Sequence, residues 1–90
     1  MRTTDGAERV VAVLDLLGST PDGSGVSAIA DELGVHRSTT SRLMATLAAS
    51  GIVERDPTTR RYRLGPRLVG LAATAVARLP VVSQAYEPRS

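Results

Sequence analysis

Along most of the chain the apolar residues recur every three or four positions. In AERVVAVLDLL, residues 7–17, Val10, Val13, Leu14 and Leu17 follow that spacing, which gathers them on one face of a helix. Gly18 is expected to close this helix in a left-handed conformation. The stretch GSTPDGSG, residues 18–25, reads as a loop from its density of Gly, Ser, Asp and Pro. Ser27 is expected to cap a short helix over 28–33. Ile29, Ala30 and Leu33 line one face of that helix and Gly34 ends it. A third helix is expected from His36 or Arg37 to Ser50. Its inward residues are Leu43, Met44 and Leu47, Thr40 packs between the helices, and Gly51 ends it. Ser38 and Thr39 leave hydroxyls near the free N–H groups of its first turn.

The period then changes. In IVERDPTTRRYRLG, residues 52–65, apolar residues alternate with Arg or Glu in two short arms, Ile52–Arg55 and Arg61–Leu64. The Asp-Pro-Thr-Thr between them supplies a turn, so the segment reads as a β-hairpin. Gly65 and Pro66 restore a helix, with Pro66 at its first position. This last helix covers about 66–78 and carries Leu68, Leu71, Ala72, Ala75, Val76 and Leu79, before Pro80 stops it. That apolar stripe is broader than one small core needs. The expected organisation is a disordered N-terminus over 1–6, one domain over 7–65, a linker and dimerisation helix over 66–79, and a flexible tail over 80–90.

Two helices joined by a short turn holding a glycine form a helix-turn-helix. Ala30 is small enough to let the helices approach, Gly34 permits the positive φ of a tight turn, and Val35 and Leu43 pin the second helix onto the first. A hairpin placed directly after such a unit is a wing. The fold class expected is therefore mainly α with a small β-hairpin: a winged helix-turn-helix with a three-helix core, a two-stranded wing and a C-terminal linker helix.

Charge sharpens this picture. The net charge of +2 is unevenly spread. Residues 1–35 hold two Arg against six acids, whereas residues 36–67 hold seven Arg against two. All eleven basic residues are Arg, whose planar fork suits phosphates and guanine edges. The exposed half of the third helix, HRSTTSR, offers Arg37, Ser38, Thr39, Ser41 and Arg42, and its N-terminal dipole favours a phosphate. On the hairpin, Arg55, Arg60, Arg61 and Arg63 cluster where a wing meets the sugar-phosphate backbone or the minor groove. Tyr62 is expected to pack rather than touch DNA. Arg67 either pairs a phosphate or stays solvated.

ERVVAVLDLL together with VSAIADELGVHRSTTSRLMATLAASGIVERDPTTRRYRLGPRLVGL resembles the N-terminal domain of IclR-type transcriptional regulators. The residues that carry the resemblance are Arg42, Leu43 and Leu47, then Gly51, then Arg55-Asp56, and finally Tyr62-Arg63-Leu64-Gly65. It covers about residues 7–79. It implies a DNA-reading helix over Arg37–Arg42, a wing over Arg55–Arg63, and binding of a double-stranded, pseudo-palindromic operator as a homodimer or a dimer of dimers. Regulators of this kind usually continue into a larger ligand-sensing domain. The sequence stops at Ser90, so no small-molecule ligand is expected within these residues.

Other function classes fare worse. The chain has no Cys and one His, which leaves no metal cluster. Ser38, Ser41 and His36 have no acid close in sequence to complete a catalytic set. Neither an enzyme nor a cofactor is expected. With two Tyr and no Phe or Trp, base stacking on RNA is poorly served. No apolar run reaches the ~20 residues that span a bilayer, and the polar, acid-bearing start is no signal peptide, so a cytoplasmic location is expected. The alternative kept open is a winged-helix protein-interaction module without specific DNA binding.

Overall fold

A computed structural model describes residues 5–79. Of the segments expected to be disordered or flexible, residues 1–4 and 80–90 lie outside the described residues, and 5–6 belong to the first helix. Four helices and a hairpin follow in the order α1 (Asp5–Gly18), α2 (Val26–Leu33), α3 (Arg37–Ala49), β1 (Val53–Arg55), β2 (Tyr62–Leu64) and α4 (Pro66–Ala77). The mainly helical class and the winged arrangement are as the sequence leads one to expect. The core sits where the first three helices meet the hairpin. It is built from Val13 and Leu17 of α1, Ile29 of α2, Met44 and Leu47 of α3, Val53 of β1 and Tyr62 of β2. The helical residues among these are the ones that the three-to-four spacing singles out, because that spacing leaves one face to remove from water.

Several boundaries differ from expectation. The first helix starts at Asp5 rather than residue 7 and runs through Gly18. Gly18 does not take the left-handed conformation, which belongs instead to Gly23, Gly34 and Gly51. Two hydroxyls end α1: Ser19 Oγ and Thr20 Oγ1 each donate to the Leu16 carbonyl at 3.0 Å. The second helix starts at Val26, with Gly25 in extended conformation as its N-cap and no side-chain cap. Ser27, expected as the cap, lies inside the first turn. Position is fixed here by tertiary pairing. The backbones of Ser24 and Tyr62 form an isolated antiparallel bridge, so the chain leaves an extended rung at Ser24 and turns into the helix at Gly25. The stretch 18–25 is thus more than a loop, since it lends the hairpin a third, one-residue strand.

In the helix-turn-helix, Gly34 has φ 70°, and its N–H donates to the carbonyls of Ala30 and Asp31. Val35 N–H donates to the Ala30 carbonyl at 3.2 Å, and Ala30 is buried. Thr40 is fully buried, and its Oγ1 donates to the His36 carbonyl at 3.1 Å, which satisfies the hydroxyl without a water. The two strands pair antiparallel with Val53 opposite Leu64, Glu54 opposite Arg63 and Arg55 opposite Tyr62. Val53 and Tyr62 are buried in the core, while Glu54 and Arg63 pair with each other away from it.

Gly65 links the hairpin to α4 and is needed for close approach. A Cβ there would collide with the Gly51 carbonyl and come within 2.9 Å of the Val53 carbonyl carbon. Gly65 N–H donates to the Ile52 carbonyl at 2.8 Å, and Arg67 N–H to that of Gly51 at 3.1 Å. The helix begun there buries no residue, and Val69, Leu71 and Val76 are each more than half exposed, with Leu79 just beyond it.

Candidate nucleic-acid interface

The start of α3 and the tip of the hairpin are the two places where exposed arginine gathers. On α3, Arg37, Ser38, Ser41 and Arg42 are exposed and Thr39 is half-buried. Thr40, Met44 and Leu47 point the other way, into the core. The separation follows from helix geometry, since side chains three and four apart share a face. The N-cap, His36, is extended and contributes no side-chain hydrogen bond. The free N–H groups of the first turn are therefore not taken up by a side-chain cap.

The wing turn is organised by Asp56. Its Oδ1 accepts from the N–H of Thr58 at 2.7 Å and of Thr59 at 3.1 Å. This local arrangement lets an aspartate close a turn on its own backbone. Those two N–H groups, with a smaller contribution from the Arg63 guanidinium, hold the Asp56 carboxyl below its ordinary value. The backbone then returns through Arg60, whose N–H donates to the Asp56 carbonyl at 2.7 Å. Arg60 has φ 68°, the one positive value outside glycine among the described residues. A non-glycine residue in that region costs on the order of 1 kcal/mol or more.

The four wing arginines have distinct surroundings. Arg63 Nε lies 3.2 Å from Glu54 Oε2 and its Nη1 lies 3.7 Å from Asp56 Oδ2. Its charge is met within the chain. Arg55 lies over the Tyr62 ring, 5.2 Å from the centroid, and its Nε donates to the Arg60 carbonyl at 3.4 Å. Arg60 and Arg61 are exposed. Tyr62 itself is buried, the packing role expected of it. Beyond the wing, Arg67 Nη1 donates to the Ser50 carbonyl at 3.2 Å, at the C-terminal end of α3. That contact explains its position without any phosphate.

Arg37, Arg55 and Arg60 come together. They line a groove of about 240 Å³ with Gly25, Ser27 and Thr59. The start of α2 and the wing residue Thr59, which line the same groove, were not among the candidates the sequence offered. The signal for them was weak, because only the Ser24–Tyr62 bridge brings the start of α2 beside the wing.

The model of the IclR helix-turn-helix domain matches residues 6–57. The chain belongs to the IclR family. Among curated proteins it is 37% identical over 70 residues to the glycerol operon regulatory protein of Streptomyces griseus, covering 78% of this chain and 28% of that protein. It is 33% identical over 88 residues to the HTH-type transcriptional regulator Rv1719 of Mycobacterium tuberculosis, covering 93% of this chain and 33% of that one. Among solved structures, the IclR transcriptional regulator from Alicyclobacillus acidocaldarius superposes with a TM-score of 0.72 at 38% identity, over 78% of this chain and 28% of the other. Pseudomonas aeruginosa HmgR gives 0.71 at 26% identity, over 86% and 32%. This IclR-family chain thus spans about a third or less of the length of these relatives. By their names the curated relatives are regulators and not enzymes. Among the described residues, no helix is long and apolar enough to cross a membrane.

Proposed function

We propose that this chain is the operator-reading part of a transcription regulator, binding double-stranded DNA without chemistry. Residues 7–65 form the DNA-binding domain and act in the cytoplasm. The N-terminal half of α3 enters the major groove, where Arg37, Ser38, Thr39, Ser41 and Arg42 meet bases and the nearest phosphates. The wing reaches the backbone or the adjacent minor groove through Arg55, Arg60 and Arg61. Arg63 contributes less, because it is already paired with Glu54 and Asp56.

The observation that carries the reading is that arginines from α3 and from the wing converge on one groove, between Arg37, Arg55 and Arg60. Phosphate contacts supply affinity and its salt dependence. A few contacts to base edges supply discrimination, each worth about 1–3 kcal/mol. One helix reads few base pairs, so two copies are needed, set about 34 Å or a multiple of it apart along the duplex. The exposed Leu71, Val76 and Leu79 of the 66–79 segment are the surface through which a second copy pairs.

Selection of bound sequences from random duplex DNA tests the reading. The expected result is a palindromic consensus, with a dimer in sedimentation at the binding concentration. Folded protein that prefers no duplex at low ionic strength overturns it, and points instead to a protein-binding winged helix.

A further inference from the structure

Between a helix lying in the major groove and a wing lying along the neighbouring minor groove runs one strand of the sugar-phosphate backbone. Whatever the chain presents in that interval must accept a phosphodiester. In this protein the interval is the groove walled by Arg37 from α3, Arg55 and Arg60 from the hairpin, and Gly25 and Ser27 from the start of α2. We propose that this groove seats a single phosphodiester of the bound duplex, gripped from three elements at once. The inference rests on the DNA-binding reading and adds to it a defined anion seat.

Four features of the groove support this. First, three arginines are among the residues that line it, and among the described residues the only ion pairs are those of Arg63. Like charges brought together without a carboxylate favour an anion between them. Second, Arg55 is held in place before any ligand arrives, by the Tyr62 ring beneath it and by its Nε bond to the Arg60 carbonyl. Its terminal amino groups stay available, and a fixed fork loses little freedom on binding. Third, Arg60 occupies a backbone conformation with φ 68° that glycine adopts without strain. The side chain is kept there at a conformational cost, as expected when that side chain is used. Fourth, the volume of about 240 Å³ exceeds the ~30 Å³ share of a water severalfold, which leaves room for a phosphate group and its hydration. The backbone N–H groups at the uncapped start of α2 add to the same field.

The seat also divides labour within the interface. A contact to phosphate carries no base information. Arg55 and Arg60 therefore set the register and tightness of the complex, while Arg42, on the exposed face of α3 and not among the groove residues, is free to discriminate between sequences.

The test is a scan of the duplex selected by the wild-type chain, with one phosphate at a time replaced by an uncharged methylphosphonate. Arg55→Ala/Arg60→Gly is compared with wild type. Glycine suits φ 68°, so the variant keeps its fold, and its thermal transition by circular dichroism checks this. The expected result is one phosphate per half-site whose neutralisation weakens wild-type binding about tenfold, as for a charge-assisted hydrogen bond. The same replacement should weaken the variant less than about twofold, with the preferred sequence unchanged. A flat scan with wild type, or equal losses in wild type and variant at every position, overturns the seat while leaving sequence-specific binding intact. Failure of wild type to select any duplex overturns both. Saturable binding of inorganic phosphate at matched ionic strength, abolished in the variant and accompanied by a flat scan, assigns the groove to a free anion and also overturns the proposal.

Discussion

Ser24 and Tyr62 exchange two backbone hydrogen bonds, Ser24 N–H to the Tyr62 carbonyl at 2.9 Å and Tyr62 N–H to the Ser24 carbonyl at 2.8 Å. Far apart in the chain, they join the segment entering α2 to the returning strand of the wing. This bridge ties the helix-turn-helix to the hairpin. The Tyr62 side chain continues the connection, buried in the core and supporting Arg55 on its ring face.

Tyr62→Ala should therefore do two kinds of damage. Removing a buried aromatic ring from a small core costs about 3–5 kcal/mol, which is a large share of the stability of a domain this size. Arg55 is also deprived of its platform. Tyr62→Phe keeps the ring and should change stability by less than about 1 kcal/mol. Urea denaturation followed by circular dichroism measures both. Equal stability of Tyr62→Ala and wild type would show that the wing is not part of the core.

Arg42 is exposed on α3, one residue before the half-buried Leu43. Arg42→Ala should weaken binding to the selected duplex at least about tenfold and reduce discrimination against single-base variants. Fluorescence anisotropy with matched and mismatched duplexes reads this directly. Unchanged affinity would remove Arg42 from the interface.

The wing arginines should not behave alike. Arg60→Ala with Arg61→Ala should lower affinity for every sequence and reduce the salt slope by about one for each phosphate left without its arginine. Arg63→Ala should have a smaller effect on the slope, because its guanidinium is already paired with Glu54 and Asp56. Titrations across a range of salt concentrations separate the two cases. An Arg63→Ala slope change as large as that of the double variant per arginine removed would mean that the ion pairs open on binding.

Asp56 is the group whose titration should affect the wing. Its carboxyl is stabilised in the charged form, first by the N–H of Thr58, next by that of Thr59, and least by Arg63. A carboxyl with a lowered folded-state value adds stability above its unfolded value and loses it as the pH falls through the folded one. The wing should thus be unaffected through the neutral range and loosen only as the pH drops below about 3.8. Asp56→Asn, which keeps an oxygen acceptor but no charge, should lie below wild type in thermal stability at pH 7 and converge with it in strong acid. A gap that widens on acidification would reverse the sign of the argument.

Much of the helical architecture was legible from periodicity. Val13, Leu17, Ile29, Met44 and Leu47 are buried where the three-to-four spacing put them. The hairpin was legible because alternation and a turn sequence occur together. What misled was end chemistry. Ser27 carries the right side chain for a cap, yet the helix starts before it. Gly18 can turn left-handed, yet hydroxyls from Ser19 and Thr20 finish the helix instead.

The arginines of the candidate interface could be named from the sequence, but their partners could not. Each of them reads alike as a residue type. Only the folded chain distinguishes Arg63, bound by two acids, from Arg55 and Arg60, which face an open groove with Arg37. The need for glycine at position 65 was equally hidden, because its neighbours Gly51 and Val53 lie on another segment.

Taken alone, then, the sequence determined the helices, the hairpin, the apolar face of each and the stock of arginine, since all of these arise from interactions within a few residues and leave a period behind. Tertiary structure decided the Ser24–Tyr62 bridge, the true start of α2, the pairing of Arg63 with Glu54 and Asp56 and the gathering of three arginines along one groove. Contacts between segments distant in the chain impose no spacing on it, and so they exist only once the core has brought those segments together.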